Sequence, residues 1–337
     1  MTHLRILILA LSLTAVSLPS AQAGRPVKIK IGTLVPRGSS FHKSLMEMAD
    51  EWKHISDGNV RVTIYPDGAQ GSERDMVRLM KLGTLQGGAL TSMGLVDIAP
   101  DVAGLQGMPM LYSSLEEYDY IRDHMAPELE KDIEDKGYIM IFWSDSGWNR
   151  FFSVKRFTTP DELKKMPMFV WAGDPERASV VKNAGFKGVT LESSELLTAL
   201  QTGMVEVSDM PPIFALATQV DRKANYMLNL NYAPLIGGLV IRKDTWESIP
   251  ADQRKEMLAS ARKIGAQLNQ ASRKENLDSI EAMKHRGLNV VDITEEELAQ
   301  WRHVMEKDVY PLLLKKLVPM DMYKRVQELS KEFKARK

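Results

Sequence analysis

The sequence predicts an α/β chain folded as a two-lobe clamshell, with one long helix spanning both lobes. Three observations carry that prediction. Strand-like and helix-like segments alternate over the first ninety or so residues and again from about residue 138 to 230. Two stretches, near residues 143–150 and 233–243, the second of them apolar, have the character of crossings between the two halves. A helical pattern then runs from Pro250 to Gly287. At roughly 1.5 Å per residue it extends about 50 Å, more than one small domain is wide.

The first residues carry their own signal. Arg5, the apolar run Ile6–Leu18, Pro19 and Ala21-Gln22-Ala23 follow the order of a secretory signal peptide, so residues 1–23 are expected to be removed. A membrane anchor fits less well, because the run is short of the roughly 20 residues that span a bilayer. No later stretch reaches that length, and the mature chain is expected to be soluble.

Val27–Val35 alternates and then turns apolar, as a strand passing from edge to core does. Leu45, Met48, Ala49, Trp52 and Ile55 fall on one face of a helix that Asp57-Gly58 stops. Val60–Tyr65 is a second strand. Ser72–Leu82 is a helix with Met76, Leu79 and Met80 inward and Gly83 past its end, and Gln86–Met93 is a short strand of small residues. Such alternation implies a mainly parallel sheet, whose ligands bind beyond the carboxyl ends of the strands. Pro36–His42 and Thr91–Gly94 then share a rim, which makes His42, Ser92 and Met93 candidate binding residues. For His42, donation to a ligand and capping of its own loop both stay open.

Leu115–Lys136 is a charged amphipathic helix and Tyr138–Trp143 a buried strand. Pro175–Ala184 and Ser194–Thr202 read as helices, the second stopped by Gly203. Gly188–Leu191, Val205–Met210 and Tyr226–Leu230 read as strands. Ala233–Lys243 is a crossing strand back to the first half. The long helix presents Met257, Ala261, Ile264, Leu268 and Ala271 on one face, then Ile280 and Met283, with Gly265 a candidate bend. Asp292–Leu317 and Met322–Phe333 close the chain as helices. The expected division is 24–146 plus 238–270 for lobe I and 147–237 plus 271–337 for lobe II.

Composition narrows the function. Lys plus Arg and Asp plus Glu both number 44, so no global field favours nucleic acid or an anionic membrane. The chain has no cysteine, which excludes a disulfide scaffold, thiol catalysis and cysteine-bound metal. Motifs of nucleophile elbows, P-loops, dinucleotide folds and zinc hydrolases are missing, and the six histidines form no pair at helical ligand spacing. No catalytic residue, metal or cofactor is expected.

Aromatic residues say more. Trp143, Trp148, Phe151, Phe152, Phe169 and Trp171 gather around the two strands that flank the expected cleft. Trp143 and Phe151 or Phe152 suit the core, but strand alternation keeps all six from pointing into one core. Trp148, beside Gly147 in the crossing, and Phe169 and Trp171, two apart on one strand face, suit an apolar ligand wall. Arg150 next to the crossing fits an inter-lobe salt bridge and a ligand contact equally.

The segments KIKIGTLVPRGSSFHKSL, YPDGAQGSERDMVRLMKLGTLQGG, MPMLY, FTTPDELKKMPMFVW and ELLTALQTGMVEVSDMPP, in that order, resemble the extracytoplasmic solute receptors of TRAP transporters, the DctP type of bacterial solute-binding protein family 7. The last segment closely resembles the family's E-x-x-x-A-L-Q-x-G-x-V-D/E segment through Glu195, Ala199, Leu200, Gln201, Gly203, Val205 and Glu206. The resemblance implies a two-lobe periplasmic binding protein, capturing a small organic solute for the small and large integral membrane subunits of a permease. It implies no enzyme activity, no cofactor and no nucleic-acid partner, and the chain is expected to be a monomer. Two departures bear on the ligand. Phe169 stands where the family has an arginine that pairs with the solute carboxylate, and Met210 stands where it often has an asparagine. Arg150 roughly matches a second family arginine. The resemblance therefore predicts an atypical, less polar solute, lined by Phe169, Trp171, Trp148 and Met210. A receptor for another transporter or signalling partner, or a secreted enzyme on the same scaffold, is the alternative.

Overall fold

A computed structural model describes residues 26–336; the expected signal peptide lies outside the described residues. β1 (Val27–Thr33), α1 (Ser40–Ile55), β2 (Val60–Tyr65), α2 (Glu73–Lys81) and β3 (Gly87–Thr91) follow one another as the alternation predicts. β2 and β3 flank β1 in parallel, with Val27 opposite Val60 and Ile31 opposite Gly87. Ile29 and Ile31 are fully buried, as are Leu45, Met48 and Trp52 of the predicted α1 face. Trp52 Nε1 donates to the Met257 carbonyl at 2.9 Å, which satisfies the one polar atom that the indole takes into the core.

The strand expected to reach Met93 ends two residues earlier. Thr91 caps a short helix, α3 (Ser92–Val96), its hydroxyl accepting from the Met93 N–H. α4 (Ala103–Gln106) and α5 (Leu115–Asp135) follow.

The expected crossings prove to be parts of two long continuous strands. β4 (Tyr138–Ser153) and β8 (Tyr226–Arg242) run antiparallel through both lobes. Between them the chain forms α6 (Pro160–Leu163), β5 (Pro167–Trp171), α7 (Pro175–Asn183), β6 (Lys187–Leu191), α8 (Leu196–Thr202), β7 (Val207–Met210) and α9 (Pro212–Ala217). α10 (Lys243–Glu247), α11 (Ala251–Lys284), β9 (Asn289–Val291), α12 (Glu295–Val304), α13 (Tyr310–Lys316) and α14 (Met320–Ala335) complete it.

The described strands make one sheet in the order β2-β1-β3-β8-β4-β7-β5-β6, with β9 also on β8. β3 pairs the far end of β8 at Gly237–Ile241, whereas β9 pairs its near end at Tyr226–Leu228. β7 pairs only the last residues of β4, Arg150–Ser153. The lobes therefore share β4 and β8, and the register slips between Asp145 and Trp148 and again between Asn149 and Phe151. Such slips twist and bend a ladder where it passes from one lobe to the other.

Four apolar clusters fill the two faces of the two lobes. α11 lies along one face of both: Met257, Ala261, Ile264 and Leu268 pack on lobe I, and Ile280 and Met283 on lobe II. Gly265 does not break it. A Cβ there would stand 2.7 Å from the Phe142 ring, so the glycine lets α11 settle onto β4. α14, expected with lobe II, instead packs on α5 of lobe I through Met322, Val326 and Leu329. Its apolar spacing was legible, but the lobe offering the matching groove is set by tertiary fit.

Candidate functional site

Pairing in lobe II fixes which side chains share a face. Arg150 lies opposite Met210 and Phe152 opposite Ser208, while Met168 lies opposite Val207. Because side chains alternate along a strand, Arg150, Ser208, Met210, Phe169 and Trp171 project from one face and Phe151, Asp209, Met168 and Val170 from the other. The first face is the one toward α8, α9 and the end of α11, where Phe169 and Met210 pack half-buried against Leu196, Leu200 and Ala215.

Arg150 is half-buried, and its guanidinium makes no hydrogen bond or ion pair with any described residue. Burial alone pushes its guanidinium down to about 10, so it stays protonated at neutral pH. The inter-lobe salt bridge is thus not made. A desolvated cation without a counter-charge is costly, and an anion bound beside it would offset that cost.

Trp171 is half-buried at the carboxyl end of β5 and lies back over the turn that follows. A Cβ on Gly173 would stand 2.5 Å from its Cζ2. Trp148 sits elsewhere: it pairs with Pro234 and packs into the lobe I cluster that holds Tyr118, Trp143 and Ile236. His42 donates its N–H to Ser39 Oγ at 3.2 Å, and its Nδ1 accepts from the Gly38 N–H at 3.3 Å, so the ring caps its own loop.

Ser92 is buried and Met93 half-buried, and the residues on either side of them, Thr91 and Gly94, are held by the Glu73 carboxylate. That carboxylate accepts from the Thr91 N–H at 2.7 Å, the Thr91 hydroxyl at 2.6 Å and the Gly94 N–H at 3.0 Å. Burial raises the Glu73 carboxyl, and these hydrogen bonds oppose the rise. Glu73 escaped the sequence reading because an acid in the first turn of a helix is commonplace. So did Ser208, fully buried with a hydroxyl that has no partner among the described residues.

The reverse face carries a second polar group. Asn149 Nδ2 donates to Asp209 Oδ2 at 3.3 Å, and Arg177 pairs with Asp174 at 3.1 Å. Burial raises the Asp209 carboxyl, and the nearby Arg177 charge works against it. A cavity of about 30 Å³ beside Arg177, Phe151 and Tyr232 leaves room for little more than a water.

Two α/β lobes on shared strands with a helix crossing both are the architecture of a periplasmic binding protein. The chain belongs to bacterial extracellular solute-binding protein family 7, the DctP family, whose profile matches residues 31–315. Its members are solute receptors of TRAP transporters, working in the periplasm with membrane permease subunits, and not a class of enzymes. The chain is 25% identical over 304 residues to the C4-dicarboxylate-binding periplasmic protein DctP of Rhodobacter capsulatus, covering 88% of each chain. It is 24% identical over 254 residues to the solute-binding protein RD1_1052 of Roseobacter denitrificans, covering 75% of this chain and 77% of that one. In fold it matches a TRAP periplasmic solute binding protein of Desulfovibrio salexigens with bound orotic acid. There the TM-score is 0.80 at 21% identity, over 92% of this chain and 99% of the other.

Proposed function

We propose that this receptor captures a small organic anion that carries one acidic group on an apolar body, and hands it as a monomer to a TRAP permease after export and cleavage near Ala23. The observation that carries the reading is Arg150: a half-buried guanidinium without a partner among the described residues, on a face shared with Phe169, Trp171 and Met210. One free cation neutralises one carboxylate by a charge-assisted bond. A second carboxylate near Phe169 would be desolvated without a partner. The relatives frame the choice. One is named for C4-dicarboxylates, and a structural neighbour holds orotic acid, a planar ring with a single carboxyl group.

The lobes of this reading are 24–146 with 238–270, and 147–237 with residues from 271 to the end of α13. α14 joins the first through its packing on α5. His42, Ser92 and Met93 form the opposing rim; Trp148, packed into the lobe I cluster, lies outside it.

The test compares thermal unfolding in benzoate and in succinate. Benzoate at about a hundred times its dissociation constant stabilises by about 2.7 kcal/mol, and succinate has no effect at equal concentration. Phe169→Arg weakens benzoate and introduces succinate binding. Tight succinate or malate binding that Phe169→Ala leaves untouched refutes the single-charge reading.

A further inference from the structure

The polar side chains of α11 cluster where β4 changes lobe. Asn269, Arg273 and Asn276, spaced four and three residues apart, share one helix face, and all three meet β4 between Trp143 and Trp148. Asn269 accepts from the Asp145 N–H at 3.0 Å and donates to the Trp143 carbonyl at 3.3 Å. Arg273 grips the fully buried Asp145 carboxylate through Nε at 2.9 Å and Nη2 at 2.7 Å. Its Nη1 and Nη2 also reach Asp119 of α5 at 2.7 Å each. Two residues on, Glu275 accepts from Ser40 Oγ of α1 at 2.5 Å. Every partner up to this point belongs to lobe I.

At Asn276 the partners change. Its Nδ2 donates to the Trp148 carbonyl at 3.3 Å, and its Oδ1 accepts at 3.0 Å from the Ile213 N–H, a free donor in the first turn of α9. α9 follows Met210 directly and covers the face that bears Phe169. Beyond Asn276, Ile280 and Met283 pack on lobe II. Gly147 completes the arrangement. Its φ is +71°, its N–H donates to Asp145 Oδ1 at 3.0 Å, and a Cβ would meet Asn276 Nδ2 at 3.0 Å.

We infer that Asn276 is the latch at the pivot of the clamshell: a positioning residue, touching no solute, that ties the crossing strand and α9 to α11 and so sets how freely lobe II turns. Arg273 is the fixed side of the pivot. Its bonds are short, charge-assisted and doubled on each carboxylate, so it stays with lobe I while the two longer, neutral bonds of Asn276 yield.

The inference concerns motion and does not depend on which solute binds. The chain has no cysteine of its own, so spin labels go on uniquely at Lys53→Cys in α1 and Lys182→Cys in α7, and double electron–electron resonance reads the lobe separation in the ligand-free full-length mature protein. Asn276→Ala is expected to broaden the distance distribution, adding a second separation in about a tenth of the molecules or more. Asn276→Asp keeps the acceptor for Ile213 but loses the donor to Trp148; it is expected to broaden the distribution too, and it serves if the alanine variant does not fold. Asn269→Ala, which loses only lobe I contacts, leaves the parental distribution unchanged. Distributions that superimpose on the parent in the folded Asn276 variants overturn the inference, and so does an equal broadening in Asn269→Ala.

Discussion

As the proposed anion contact, Arg150 would contribute to binding at the expense of the empty protein. Burial lowers its pKa from the ordinary arginine value to about 10 and nothing in the described chain compensates. The penalty is fully present below the folded value, and it fades as pH rises from there toward the unfolded one, since only the charged form is disfavoured. Arg150→Met is therefore expected to stabilise the ligand-free protein at pH 7, by about 1–3 kcal/mol, while abolishing anion-dependent stabilisation. Denaturant unfolding with and without benzoate checks both halves; a destabilised empty variant would reveal a partner for Arg150. Residues differ in how much of this was legible. Phe169 and Met210 announced themselves as departures from a familiar pattern. Arg150 was visible as a residue, but whether it had a partner depends on which strands lie beside β4, and no local spacing encodes that. Glu73 and Ser208 matter only through burial and hydrogen-bond satisfaction, which sequence does not report.

Among the elements, helices were the easier to foresee. The apolar face of α1 and the length of α11 follow from 3.6-residue periodicity, and both stand as expected. β4 and β8 were seen only in fragments, because the register slips near Asp145 and Asn149 interrupt the alternation that identifies a strand. The attachment of α14 is likewise tertiary, and beside its apolar packing it uses one carboxylate. Glu117 is fully buried and accepts from the Ser113 N–H at 2.7 Å, from the Ser113 hydroxyl and from Ser330 Oγ at 2.5 Å, with Lys334 Nζ at 3.5 Å. Burial pushes its carboxyl up, but the hydrogen bonds outweigh burial and hold it below the usual 4.5. A depressed acid stabilises above its unfolded pKa and loses that contribution as pH falls through the folded one. α14 should therefore loosen below about pH 4.5 before the sheet does. Amide exchange followed from pH 6 to pH 3 checks this, and Glu117→Gln should weaken α14 at pH 6 and flatten its pH response.

At the scale of the molecule, both lobes hang on the same two strands and the same helix, which permits rotation but not separation. The chain's ends have a further consequence. β3 is completed by residues 237–241 of β8, and one face of the lobe that contains it is covered by α14, the last helix described. The part of the protein synthesised first is thus the part finished last. A fragment comprising residues 26–136 is expected to lack cooperative unfolding by calorimetry, since it carries β1 to β3 and α5 without the strands and helix that cover them. During biogenesis the amino-terminal third must wait, unfinished and with apolar surface exposed, until the carboxyl terminus arrives. The order of maturation runs opposite to the order of synthesis.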